Sequence, residues 1–579
     1  IFGHPEVYII FLPGVALMAM IVPTFAQRPV VGYSWIVLAA VGTGFLSFGL
    51  WVHHMYTTGL PSVSLGFFSA ASTAVAIPTA VQLFAFIATV MLGRVVRSVP
   101  MLFAAGALAI FVLGGLSGVM VAMAPFDWQA HDTYFVVAHL HYVLIGGMLF
   151  PVIAGVYYYF PFVTAKALSE KVGRIGFWLM FVGFNVAFLP MHFTGLRGMP
   201  RRVYTYPEGL GWDWLNLIST IGAFTLAAGF ALIVIDILRP KGNQPYCERN
   251  PWNAGTLEWL EEMPDKPWGV RSIPVVKHRY PLWKDPDFIG KVDRGEFYLP
   301  DAQELRRETM VTSVLDAEPI QCLRVPGPSF LPMITAGFTG AAFIAATFHL
   351  YWPTLAAGIL ALASLLFWLW TGTAEIPEKD EKDVGFGLSL PLYQSGPQSV
   401  GWWAMFITML GDAAAFASLI FAYFFYWTIH SDFPNDVTSE GALIYYALGV
   451  AAVVGTWLLT LGARYWNLTG AVFASRLAMV GAIVLALLSG AALLAGPYVD
   501  GLDPRLHAYP AIVWILALWT VGHIGIGAIM LAYCFARSLA GRLTPRYDID
   551  ICNVTLYWHF AAITGVLAPM LVALFPLAA

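Results

Sequence analysis

The sequence predicts an all-α polytopic membrane protein, with about fourteen transmembrane helices in two bundles joined by a polar linker. Three observations predict it. Of 579 residues, 59% are hydrophobic and 11% charged, and the mean hydropathy is +0.72, a composition no soluble core requires. Apolar runs of roughly 18 residues or more recur along the chain, and in lipid only helices or closed barrels satisfy every backbone polar group. One long stretch, 241–328, breaks the pattern with prolines and charges.

The apolar runs place seven spans at roughly 3–24, 31–52, 63–92, 101–123, 133–161, 174–193 and 214–238. Seven more fall at roughly 329–348, 352–372, 400–427, 441–463, 471–495, 509–535 and 554–577. The domains are therefore a first bundle over 1–240, a polar linker over 241–328 and a second bundle over 329–579. The run GTAEIPEKDEKD, ending at Asp383, opens a second, shorter surface loop.

A net charge of −4 gives no electrostatic footprint for nucleic acid. Cys247, Cys322, Cys534 and Cys552 lack metal spacing and a disulfide signature, and no CxxCH occurs. The chain opens at Ile1 with no initiator Met, basic leader or cleavage site, so preceding sequence is expected elsewhere.

Charge sets the topology. Loops on the side reached by the first span hold Arg28, then Arg94 and Arg97, then Lys166, Lys171 and Arg174, then Arg239 and Lys241. The opposite loops after the second and fourth spans hold no Lys or Arg, so the first side is cytoplasmic. Arg197, Arg201 and Arg202 break the rule on the outer side. They read either as ordinary surface charge or as a fork for an anionic partner such as a carboxylate.

The same topology gathers histidines. His4 lies near the outer end of the first span, His53 and His54 at the outer end of the second, and His139 and His141 at the outer start of the fifth. Two positions on a helix turn about 200°, so His139 and His141 face opposite ways and suggest two centres. A histidine on an apolar face is often only a hydrogen-bonded core residue. Inside a membrane span an ionisable side chain more often marks a site, and imidazoles suit copper and iron. His4 and Tyr8, four apart in GHPEVY, share a helix face. Glu6 points nearly the other way, and a carboxylate buried in an apolar helix has a proton-relay reading.

GHPEVY, WVHHMYTTG, HDTYFVVAHLHYVL and GMPRRVYTYP, in this order and spacing, resemble subunit I of the haem-copper oxygen reductases, specifically the aa3-type cytochrome c oxidases. The likeness covers residues 1 to about 260, as the second half of that subunit, helices six to twelve. It implies that His4, His53 and His54 bind the copper CuB and that Tyr8 is the tyrosine linked to His4. His139 would be the ligand of the high-spin haem (a3-type), and His141 one ligand of the low-spin haem a. The resemblance places a Mg site on His131 and Asp132, and haem propionates beside Asp127, Arg201 and Arg202. Glu6 matches the glutamate ending one proton pathway. The stretch FFSAASTAVAIPTAVQLFAF matches the helix of a second, with Thr79 in place and Gln82 where the family has lysine. A neutral amide costs less to bury but relays a proton less readily than a titratable amine.

From about Phe330 the chain resembles subunit III, through GWWAMFITMLGDAAAFASLIFAYFFY with Asp412, and through His523, Trp558 and His559. Subunit III binds no redox metal, so these residues are expected to be structural. The resemblance implies a fused I/III polypeptide of a proton-translocating cytochrome c oxidase in the bacterial inner (plasma) membrane. Its partners would be subunit II with CuA, cytochrome c as electron donor, membrane lipid and the N-terminal part of subunit I, with no nucleic acid. The first five helices of subunit I, and with them the second low-spin haem ligand, are not in this chain. A quinol oxidase shares the same ligands, a nitric oxide reductase fits less well with Tyr8, and a non-catalytic structural remnant is the reading from another class. A transporter explains neither the HH nor the HxH pair.

Overall fold

A computed structural model describes the chain except residues 1–2, 48, 240–241, 243–245, 261–273, 298–306, 314–315, 317, 327–328, 373–375, 386, 431–432, 434–438 and 578–579. Parts of the expected linker lie outside the described residues. The chain forms two compact units, the first reaching Phe297 and the second running from Tyr298 to Ala579.

The first unit holds α1 (Gly3–Ala26), α2 (Tyr33–Ser47), a 3-10 turn (Trp51–Met55), α3 (Ser62–Ala74), α4 (Ala76–Leu92) and α5 (Val99–Val121). It continues with α6 (Ala124–Ala130), α7 (Tyr134–Leu144), a π turn (Ile145–Leu149), α8 (Phe150–Thr164), α9 (Glu170–Leu196) and α10 (Asp213–Leu238). Two predicted spans are therefore interrupted. Pro78 lacks the N–H that residue 74 would accept, and the third span breaks at Val75 into α3 and α4. The fifth span carries the π turn between α7 and α8.

The reasons are local at the ends and tertiary in the middle. The Thr133 hydroxyl accepts from the Phe135 N–H and starts α7, and Ser169 does the same for Val172 at α9. Ala165, in the left-handed region at φ 57°, ends α8. The interior of the unit is aromatic, with Phe103 against both Phe150 and Phe177 at 5.3 and 5.2 Å.

The expected linker is in part folded. Ala254 and Trp259 are fully buried in the first unit's core, with Trp252 and Leu282 packed against it. The Trp259 indole donates to Tyr158 Oη at 2.7 Å, the Trp252 indole to the Tyr158 carbonyl at 2.9 Å, and the Val30 N–H to Tyr280 Oη at 3.2 Å. Short helices α11 (Pro281–Lys284) and α12 (Phe288–Asp293) follow. Aromatics scattered among prolines and charges anchor this segment where average polarity predicted a tether.

The second unit opens with a hairpin of β1 (Arg307–Thr312) and β2 (Pro319–Val325), then α13 (Leu331–Thr347) and α14 (Tyr351–Gly372). A second hairpin, β3 (Glu381–Asp383) and β4 (Ser389–Pro391), precedes α15 (Val400–Ile429), α16 (Glu440–Leu468), α17 (Val472–Val499), α18 (Ala508–Leu539) and α19 (Ile549–Leu574). The buried side of α15–α19 forms one core around Trp558, Tyr423, Met479 and Leu531.

The protein is thus a helical polytopic membrane protein carrying two small hairpins. Among the described residues, twelve spans are long and apolar enough to cross a membrane. The other two expected spans coincide with the shorter apolar helices α2 and α13, of 15 and 17 residues.

Candidate metal centre

Three histidines from two separate elements converge. His4 comes from the first turn of α1, His53 and His54 from the 3-10 turn after α2, and one ring nitrogen of each lies within 4.8 Å of the others. Among the described residues this is the sole group of three or more His, Cys, Asp or Glu side chains placed to share an ion. Ring centroids are 4.7 Å apart for His4 and His53, 5.7 Å for His4 and His54, and 4.4 Å for His53 and His54.

The donor set is prepared on the protein side. Ser72 Oγ on α3 meets His53 Nδ1 at 2.9 Å and frees its Nε2, which sits 3.2 Å from His54 Nε2. His4 is buried, and its Nε2 has no hydrogen-bond partner. An orphaned buried imidazole nitrogen beside two converging ones fits a cation that accepts three nitrogen ligands. The Tyr8 ring stands edge-on to His4 at 5.0 Å and is half-buried.

His139 and His141 leave α7 toward different neighbours. His139 turns to α5, where its Nδ1 lies 3.1 Å from the Gly114 carbonyl and 3.1 Å from Ser117 Oγ. A Cβ on Gly118 would come within 3.0 Å of the His139 ring, so the glycine leaves the space the imidazole needs. His141 turns to α9, its ring stacked on Phe188 at 4.3 Å and its Nδ1 held by the Val137 carbonyl at 2.7 Å. A ligating histidine commonly has its other nitrogen fixed in this way, and in both rings it is Nδ1 that is held.

The remaining predicted residues are placed as follows. His131 Nδ1 pairs with the Asp127 carboxylate at 3.0 Å, whereas Asp132 forms its ion pair with Arg201. His131 and Asp132 thus have separate partners. Burial pushes the Asp127 carboxyl above the usual carboxylate range, and His131 pulls it part of the way back. Arg201 is half-buried and Arg202 exposed. Glu6 stands on an exposed face of α1 and is not buried as the apolar helix suggested. Thr79 and the fully buried Gln82 line a cavity between α1, α4, α5 and the π turn. Sequence reasoning missed Ser72, Ser117, Gly114 and Phe188. They lie far along the chain from the histidines they serve, and nothing local marks them.

The family described as "Cytochrome C and Quinol oxidase polypeptide I" matches residues 1–225. This stretch is homologous to subunit I of the haem-copper oxidases. Cytochrome c oxidase subunit 1 of Bacillus subtilis is 41% identical over 345 residues, covering 59% of this chain and 52% of the relative. Its counterpart from Alkalihalophilus pseudofirmus is 37% identical over 368 residues, covering 63% and 55%. A probable quinol oxidase subunit 1 of Staphylococcus aureus is 41% identical over 306 residues, covering 52% and 45%. The chain spans about half the length of the curated relatives it matches.

Proposed function

We propose that this chain carries the metal-binding half of a proton-translocating cytochrome c oxidase that reduces O2 to water. The observation that carries the reading is the convergence of the His4, His53 and His54 nitrogens. These three would hold CuB, His139 the iron of the high-spin a3-type haem, and His141 would be one ligand of the low-spin haem a. Haem and copper, when bound, supply the electron transfer and O–O cleavage that no side chain provides.

The chain's own part is positioning and proton supply. Ser72 and the Gly114 carbonyl fix the imidazoles of His53 and His139. Tyr8, on the His4 face of α1, holds a phenolic proton beside the copper site. Thr79 and Gln82 lie on a proton route from the cytoplasmic side, and Glu6 is the carboxylate of a second. Glu6 takes this role once the N-terminal part of subunit I covers its face of α1. Asp127, Arg201 and Arg202 would meet haem propionates, and His131 with Asp132 a Mg ion at the outer side.

The second unit, 329–579, is assigned as a subunit III-like bundle, so that the chain is a I/III fusion. Subunit II with CuA, cytochrome c and membrane lipid complete the assembly in the bacterial inner membrane. A quinol oxidase is the second reading, favoured by the likeness to the staphylococcal protein. A CuA ligand set in the co-purified subunit II decides for cytochrome c.

The test is His53→Ala in the membrane-purified complex, read by copper and iron per chain and a CO-difference spectrum. Loss of copper and of oxygen reduction, with the bundle inserted and haem retained, is expected. Full activity in the variant, or a folded wild-type preparation with neither haem nor copper, overturns the assignment.

A further inference from the structure

His559 is exposed on α19, about 15 Å along the axis from the helix start at Ile549. The Trp457 indole of α16 donates to His559 Nδ1 at 3.0 Å. Trp457 lies about 17 Å before the end of α16 at Leu468. That end is tied to the approach to α19 by Asn467 Nδ2, which donates to the Thr544 carbonyl at 3.1 Å. Both rings therefore sit near the middle depth of their spans.

An indole nitrogen only donates, so His559 Nδ1 carries the lone pair and the proton of the neutral ring is on Nε2. Among the described residues that N–H has no hydrogen-bond partner. It belongs to an exposed stripe of His559, Ile563, Leu567 and Met570 along one face of α19. The other faces of the helix pack on α15, α16 and α18. Lipid tails hold no acceptor at this depth, and an ionisable side chain within a span usually marks a site. A second copy meeting this face on a two-fold axis would set His559 against His559, donor against donor, since Trp457 takes Nδ1 in both.

We propose that the His559 face of α19 docks a transmembrane helix of a separate membrane subunit, one that presents an acceptor oxygen (carboxamide, carboxylate or hydroxyl) at mid-depth. That oxygen accepts from His559 Nε2, and Ile563, Leu567 and Met570 supply the apolar contact along the rest of the face. Trp457 is a positioning residue that fixes the tautomer and the plane of the imidazole. Interhelical hydrogen bonds in lipid add modestly to affinity, and a single polar position of this kind selects the partner and its register. The proposal needs only that α16 and α19 span the membrane, and it stands apart from the oxidase reading.

The experiment uses the full chain in its native membranes, with Ile563→p-benzoylphenylalanine as a photoprobe on the same stripe. Irradiation is expected to join it to one polypeptide other than this chain. The joined peptide, mapped by mass spectrometry, is expected to lie in an apolar span that carries an acceptor side chain. Adding His559→Phe to the probe chain is expected to cut the yield of that adduct about tenfold. His559→Gln, whose amide N–H reaches the place of Nε2, is expected to restore it. Adducts confined to lipid, to this chain or to a second copy of it overturn the docking face. So does a partner span without any acceptor, or an unchanged yield with His559→Phe. If His559→Phe does not insert, the peptide mapped with the probe alone decides.

Discussion

Gly14 of α1 and Gly147 of the π turn meet so closely that a Cβ on Gly14 would lie 2.0 Å from the Gly147 carbonyl oxygen. This crossing holds the helix carrying His4 and Tyr8 against the span carrying His139 and His141. One turn away, Phe11 of α1 stacks on Phe111 of α5 at 4.9 Å. Gly146 packs on the same stretch, where an added Cβ would come 2.7 Å from the Phe111 nitrogen. The geometry of the candidate metal centre is thus set by backbone contacts two to three turns below it.

Gly14→Ala therefore forces α1 off the π turn, because the obstacle is a carbonyl and not the end of a flexible side chain. The expected cost is at least the roughly 1–3 kcal/mol of an overpacked core. Copper per chain is expected to fall as His4 leaves His53 and His54. Gly115 of α5 is the control, since nothing lies within 4 Å of a Cβ there. Gly115→Ala is expected to be neutral or to stabilise the helix by about 0.5–1 kcal/mol. Thermal unfolding and copper analysis of the two variants check this, and equal behaviour would sink the clamp.

Ser72→Ala tests the support of the candidate metal ligands. His53 Nδ1 loses its partner at 2.9 Å, and the ring is free to rotate away from His54. Removing such an outer partner typically weakens metal binding about 10–100-fold. A chelator competition titration reads it directly. An unchanged copper affinity would show that packing alone orients His53.

The centre was legible in the sequence and its scaffold was not. His139 and His141 stand two apart, and the 3.6-residue period alone sends them to α5 and α9. The alternation of charged loops brought His4, His53 and His54 to one side of the membrane before any coordinates. The π turn could not be read, because it depends on glycines packing against Phe111, a contact distant in sequence. Hydropathy averages over a helix and does not say which face is covered, so the exposure of Glu6 in this chain was not legible. The anchoring of Trp252 and Trp259 was hidden by the charges around them.

Trp259→Ala measures how far the segment after α10 belongs to the first unit. The indole is fully buried and donates to Tyr158 Oη, which also donates to the Glu258 carboxylate at 3.2 Å. Truncating a buried aromatic of this size costs about 3–5 kcal/mol. Limited proteolysis is expected to cut within 249–260 in the variant and to spare it in the wild type. Equal resistance would return the segment to the status of a tether.

The hairpins of the second unit rest on a buried carboxylate. Glu308 of β1 is 2% exposed and lies between Lys382 of β3, at 2.5 Å, and Arg324 of β2, at 2.9 Å. Arg324 also holds Glu378 at 2.6 Å. Removing one member of a buried pair costs about 3–5 kcal/mol, chiefly because a charge is left uncompensated. Lys382→Met leaves Glu308 with Arg324, so its cost falls below that range. Glu308→Gln removes the carboxylate charge that Lys382 and Arg324 share and is the more damaging of the two. The double variant Glu308→Leu with Lys382→Met removes both charges and is expected to recover most of the loss. Hydrogen exchange across 307–325 in the three variants checks this order, and additive losses in the double variant would show that the pair is not coupled.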